Sequence, residues 1–185
     1  MIDCRIIPHC AWVRFEDLRD RIPFAQYNVR VFGREVLQPR LVHWYGPVAY
    51  TYSGLTLPSD PMPPWLEELR ERVSEAAGAP FDSVLCNLYR NGKDAVGWHS
   101  DDEELFGPDP VVASLSYGAS RRFVLRRKAD RHSKTDYYLN DGTLLVMGKG
   151  VQREYQHTLP KTSRPVGERI NLTFRQTVPS TFEML

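Results

Sequence analysis

This sequence of 185 residues has few cysteines and almost no net charge. It also has no long apolar run. Cys4, Cys10 and Cys86 are odd in number and irregularly spaced, which excludes a disulfide framework or a cysteine-rich metal site. A reducing compartment is the default expectation, cytoplasmic or, in a eukaryote, nuclear. Nothing resembles a cleavable signal or a membrane span, so no membrane partner is expected. A formal net charge of +1 does not announce a nucleic-acid protein. Internal repeats and low-complexity segments are also lacking.

What is there suits one domain with a sizeable core: 42% of residues are hydrophobic, and 14 prolines with 12 glycines imply many turns. Only Trp65 to Ala77 repeats its apolar positions at helical spacing, and Gly78 stops it. Glu16 to Arg21 reads as a short exposed helix. Elsewhere short apolar runs alternate with turn signals. Val29–Val31 and Val36–Leu37 flank Phe32-Gly33, where Gly33 supplies permissive backbone angles. Further runs lie at Arg40–Tyr45, Tyr50–Tyr52, Val111–Tyr117, Arg122–Arg126, Tyr137–Leu139, Thr143–Met147 and Arg169–Arg175. The predicted class is mainly β (α+β), a β-sandwich or jelly roll with one main supporting helix.

The stretch from Leu85 to Glu103 organises the chain. It starts as an alternating strand, breaks at Asn91-Gly92 and resumes to deliver His99 and Asp101. Side chains at i and i+2 share one strand face, so an imidazole and a carboxylate can hold two positions on one side of a metal. A distant histidine would complete a 2-His-1-carboxylate triad, which leaves positions open and suits non-haem Fe(II). His157 can be that histidine, or a core or surface one, as His9, His43 and His132 are taken to be. On the last run, Arg169, Asn171, Thr173 and Arg175 share one face, with Ile170, Leu172 and Phe174 opposite. Two inward guanidiniums need an anion, and a dicarboxylate fits. The competing reading is an edge strand with an exposed basic face.

Taken jointly, Asn87-x-Tyr89, His99-x-Asp101, His157 and Arg169-x-Asn171-x-Thr173-x-Arg175 resemble the AlkB family of Fe(II)/2-oxoglutarate dioxygenases. The resemblance covers roughly residues 29–178, and His-Ser-Asp-Asp-Glu and Asn-Leu-Thr-Phe-Arg are similar to its nucleic-acid repair branch. It implies a double-stranded β-helix core over about 80–178, preceded over about 1–60 by an extension with nucleotide-recognition hairpins, all in one domain. His99, Asp101 and His157 would ligate iron. Arg169, Asn171 and Tyr89 would hold the distal carboxylate of 2-oxoglutarate; Asn87 and Arg175 would hold the chelating end, with Thr173 on the same wall. With O2 as second co-substrate, oxidation of an N-methyl group on 1-methyladenine or 3-methylcytosine would release formaldehyde and succinate.

The same resemblance gives the first part of the chain a role. Val31-Phe32-Gly33, followed by Arg34, is similar to a wedge that fills the gap left by a flipped nucleotide. Tyr52 would stack the flipped base against His99, Tyr50 would offer it a hydroxyl, and Asp102 would meet its exocyclic amine. Arg121, Arg122, Arg126, Arg127, Lys128, Arg131 and Lys134, with Lys161 and Arg164, could grip phosphates. The expected partner is therefore alkylated DNA, possibly also RNA, and the expected state is a monomer. Three alternatives stay open: a 2-oxoglutarate-dependent hydroxylase or demethylase of protein side chains, a non-catalytic nucleic-acid-binding module, and a zinc hydrolase.

Overall fold

A computed structural model describes residues 2–178. The first half of the chain forms β1 (Cys4–Ile7), α1 (Phe15–Arg21), β2 (Asn28–Val31), β3 (Arg34–Leu37), β4 (Leu41–Tyr45), β5 (Tyr50–Tyr52), β6 (Leu55–Leu57), α2 (Pro64–Ala77), β7 (Ser83–Tyr89) and β8 (Val96–His99). The second half forms β9 (Val112–Gly118), β10 (Arg121–Arg127), β11 (Lys134–Leu139), β12 (Thr143–Met147), α3 (Val151–Glu154), β13 (Tyr155–Leu159) and β14 (Arg169–Arg175). A six-stranded sheet runs β1-β12-β9-β14-β7-β4, and a four-stranded sheet runs β11-β10-β13-β8. Both are antiparallel, as a jelly roll requires.

Helix α2 covers one face of the larger sheet. Proline at its first position is pre-set for helical φ, and Gly78 ends it in the left-handed region at φ 69°, donating to the Ser74 carbonyl. Its buried stripe, Leu66, Leu69, Val73 and Ala77, packs with Val84, Cys86 and Leu88 of β7 and with Ile170, Leu172 and Phe174 of β14. Fully burying each leucine contributes about 1.5–3 kcal/mol. The opposite face of β7 and β14 therefore looks into the space between the sheets. A second cluster there, including Phe123, Leu125, Leu139, Leu145 and Leu159, closes the smaller sheet over it.

Three features differ from the sequence expectation. Strands β1 and β4 from the first sixty residues belong to the larger sheet, paired with β12 and β7. The first sixty residues, expected as an extension with hairpins, thus also supply two strands to that sheet. Helix α1 is anchored rather than simply exposed, because Leu18 is buried in the main core. Strand β11 begins at Lys134, three residues before the apolar run. Its pairing with β10 carries a polar edge that alternation alone does not mark. Among the described residues no helix is long and apolar enough to cross a membrane.

Candidate active site

Strand pairing brings the chemistry-bearing residues together. His157 on β13 lies directly opposite His99 on β8, and Asp101 follows two residues later. One ligand atom from each of the three lies within 4.8 Å of the others. The rings of His99 and His157 meet edge to face at 4.2 Å, and Phe123 stacks on His157 at 5.2 Å. His99 Nδ1 lies 2.8 Å from the Gly97 carbonyl, which can only accept, so Nδ1 carries the proton and Nε2 is free to ligate. His43 and His132 take no part: His43 pairs with Asp60 at 2.9 Å, and His132 is exposed.

Electrostatics favours the ligating forms. Burial, then the neighbouring His99, pushes His157 down to about 3, so its imidazole is neutral. Burial alone would raise the carboxyl of Asp101, but Arg175, His157 and His99 together hold it well below the usual carboxylate range. Arg175 Nη2 donates to Asp101 Oδ1 at 2.7 Å, and both side chains are buried. The Asp101 backbone N–H donates to Gln152 Oε1 at 3.0 Å, so α3 fixes the turn that presents the carboxylate.

The polar face of β14 points inward, which removes the edge-strand reading. Arg169 and Arg175 are 2% and 3% exposed, and both β7 and β9 pair with β14 along its length. Asn87, Tyr89, Arg169, Asn171, Thr173 and Arg175 line one cavity with His99, Asp101 and His157. Arg169 Nη2 donates to Ser116 Oγ, and its guanidinium lies 5.3 Å from the Tyr89 ring centre. Burial pushes Arg169 down to about 10. Asn171 is fully engaged: Nδ2 donates to Ser114 Oγ and the Leu115 carbonyl, and Oδ1 accepts from Thr173. It orders the wall rather than presenting a free donor.

The remaining sequence candidates sit outside this cavity. Tyr50 is buried, with the Arg175 guanidinium 5.7 Å from its ring centre, and its hydroxyl donates to Glu103 Oε1 at 2.7 Å. Tyr52 donates to Gln38 Oε1 at 3.1 Å. Phe32 and Gly33 form the β2–β3 turn, both left-handed at φ 49° and 77°, and the Phe32 ring is fully exposed (102%). Arg34 is exposed beside it. Asp102 is exposed and paired with Lys128 at 3.1 Å. The basic segment needs a correction. Arg121 is buried, donating to the carbonyls of Asn91, Asp94 and Pro160, and cannot reach a phosphate. Arg122 pairs with Asp136, and Arg126 lies on Trp98 at 4.0 Å.

Sequence reasoning missed Arg40, Glu103 and Gln152. Arg40 is buried in the cavity wall, and its Nε donates to Asn87 Oδ1 at 2.8 Å. A charge opening the apolar run Leu41–Tyr45 was the available signal. Glu103 stood beside the iron motif, masked by Asp102. Gln152 had no signal, since a one-turn helix leaves no periodicity.

Residues 11–175 match the family described as the 2OG-Fe(II) oxygenase superfamily. The chain belongs to that superfamily. Within it the chain is AlkB-like. It is 46% identical over 182 residues to the human protein named alpha-ketoglutarate-dependent dioxygenase alkB homolog 3, covering 91% of this chain and 62% of that one. Against the mouse protein named DNA oxidative demethylase ALKBH2 it is 37% identical over 178 residues, covering 90% and 74%. The chain thus spans less than two thirds of the human relative's length. The solved structure of OsALKBH1 has the same fold, with TM-score 0.66 at 16% identity, covering 95% of this chain and 97% of that one.

For an AlkB-like oxygenase the groups to be accommodated are a divalent iron and a dicarboxylate. The convergent ligand atoms suit the first: two imidazole nitrogens and an ionised carboxylate gathered within 4.8 Å of one another, all three residues lining one cavity. Orphaned donors suit the second. Arg169 Nε and the Nε and Nη1 of Arg175 are buried without any partner, although each such unmade bond costs about 1–3 kcal/mol. Nitrogens of two guanidiniums left open on one cavity wall fit an anion with a carboxylate at each end.

Proposed function

We propose that this protein is an Fe(II)- and 2-oxoglutarate-dependent oxidative demethylase of N-alkylated nucleobases in DNA and RNA. The observation that carries the co-substrate half is the set of unpartnered, buried guanidinium nitrogens beside the His99–Asp101–His157 cluster. In this reading His99, Asp101 and His157 hold iron. Arg169 and Tyr89 take the distal carboxylate, and Arg175 and Asn87 take the end that chelates the metal. Arg40 fixes the Asn87 amide by occupying its oxygen. Bound iron and 2-oxoglutarate would supply the oxidation of an N-methyl C–H bond; the protein binds, orients and keeps water out.

The nucleic-acid half is supported by the names of the relatives and by Phe32. A ring held in solvent at a left-handed turn has no folding purpose, and it suits insertion into a base stack. Glu103, rather than Asp102, is the acid assigned to the exocyclic amine of the damaged base. Its Oε2 is buried and unpartnered next to Tyr50, whereas Asp102 is exposed and its carboxylate faces Lys128. A carboxylate there also suits the cationic character of both lesions.

The test is anaerobic reconstitution with Fe(II) and 2-oxoglutarate, then admission of O2 with oligonucleotides carrying 1-methyladenine or 3-methylcytosine, single- and double-stranded. Formaldehyde release in step with succinate is the expected result. Release from methylated peptide but from no oligonucleotide would overturn the substrate class and leave the iron chemistry standing.

A further inference from the structure

We propose that Gln38 reads the carbonyl edge of the flipped base, so that the protein prefers 3-methylcytosine to 1-methyladenine; this rests on the demethylase reading above. Apart from the arginine nitrogens and Ser74 Oγ on α2, the described residues leave two buried side-chain polar atoms without a partner, Gln38 Nε2 and Glu103 Oε2. The first is an amide nitrogen, a donor, and the second a carboxylate oxygen, an acceptor. Each belongs to a side chain whose other polar atom is tied to a tyrosine hydroxyl. Tyr52 donates to Gln38 Oε1 at 3.1 Å, and Tyr50 donates to Glu103 Oε1 at 2.7 Å.

Those tyrosines lie two apart on β5 and so share a face, with ring centres 5.0 Å apart. One aromatic shelf therefore carries an amide with unused hydrogens and a carboxylate with an unused oxygen. Gln38 cannot swing to water to satisfy itself. It is 1% exposed, its backbone N–H donates to the Tyr27 carbonyl, and its own carbonyl accepts from Gln26 Nε2 and the Arg40 N–H.

A donor and an acceptor together select one base edge. In 3-methylcytosine the methylated N3 lies between the N4 amine, a donor, and O2, an acceptor. In 1-methyladenine the methylated N1 lies between the N6 amine and a C2–H, which accepts nothing. Both lesions satisfy Glu103. Only the cytosine lesion also satisfies Gln38, and the adenine lesion leaves that amide buried and unpaired. A site built to hydrogen-bond one group discriminates against an analogue lacking it, because its own polar atom is then stranded.

The experiment compares kcat/KM on two single-stranded oligonucleotides identical except for the lesion, for the parent, Gln38→Leu and Gln38→Glu. In Gln38→Leu the ratio of 3-methylcytosine to 1-methyladenine turnover should fall about tenfold, through loss on the cytosine lesion. Gln38→Glu keeps an oxygen for Tyr52 but replaces the donor with an acceptor facing O2, so its ratio should fall at least as far. Fluorescence anisotropy of the metal-free protein on the same oligonucleotides should show the same change in preference. Equal losses on both lesions would make Gln38 a support of the fold and overturn the proposal, as would an unchanged ratio in both variants. If the parent binds 2-oxoglutarate but demethylates neither base, the demethylase reading itself fails, and this claim with it.

Discussion

Arg169 and Phe32 mark the two ends of the site as proposed, one in the cavity wall and one outside it, and they are held in opposite ways. Arg169 is buried on the central strand β14, fixed by Ser116 and stacked beside Tyr89, with a donor left over. Phe32 touches water on all sides and stands on a two-residue turn that belongs to neither main sheet. The inner end stores an unsatisfied charge in a dry wall; the outer end stores an unsatisfied apolar surface in a strained loop. A small dicarboxylate and a large polymer call for these different devices. On the proposed function, the first would be recognised by burying it among fixed donors, the second by reaching out to it.

The largest effect should come from the junction between the ends. Asp101→Asn is expected to lower turnover more than about a hundredfold, beyond what losing an outer partner of a metal ligand costs. Asp101→Ala should also lose about 3–5 kcal/mol of stability, because it leaves Arg175 charged, buried and unpaired. Denaturant unfolding of the metal-free protein measures this. If Asp101→Ala were as stable as the parent, the pair with Arg175 would not hold the inner end together.

Arg169→Lys sharpens the contrast at the inner end alone. It keeps a charge but loses the planar fork, and affinity for 2-oxoglutarate should fall about tenfold. The anaerobic absorbance band of the iron–2-oxoglutarate complex follows this binding. The same variant should leave the affinity for an unmodified oligonucleotide unchanged. A parallel drop in both would mean the two ends are not separable.

The inner end was legible in the sequence and the outer end only in part. A polar row at spacing two on β14 and the His99-x-Asp101 step survive translation into structure, because strand alternation fixes which side chains share a face. Arg40, Glu103 and Gln152 were not legible, because what matters about them is the partner, and Asn87, Tyr50 and the Asp101 backbone come from other elements. The basic segment shows the limit most clearly. Arg121 and Arg122 are neighbours of one type, yet alternation on β10 sends one into the protein and one to the surface. Arg121→Ala should therefore cost about 3 kcal/mol of stability, from charged donors lost to three carbonyls. Arg122→Ala, which breaks a surface pair with Asp136, should stay within about 0.5 kcal/mol. Equal Tm shifts would contradict the assigned orientations.

The smallest effect on stability should come from the hairpin tip, where the sign is the informative part. Phe32 adopts φ 49°, a region that costs a residue with a Cβ roughly 1–2 kcal/mol and costs glycine little. Its ring makes up none of this by burial. Phe32→Gly should then leave Tm unchanged or raise it slightly, the gain being limited by glycine's greater freedom in the unfolded chain. Function should move the other way. Extruding a base from a duplex requires the stack to be opened and filled, whereas a single strand has already lost its pairing. Repair of 3-methylcytosine in a duplex should fall severalfold or more in Phe32→Gly, with little change on a short single strand, both measured at one salt concentration because phosphate contacts also weaken with salt. A lowered Tm would show that the ring supports the fold. A retained Tm with equal losses on both substrates would place Phe32 at the pocket instead of the stack. Strain kept at a position where glycine would be cheaper is the sign that folding did not choose this residue.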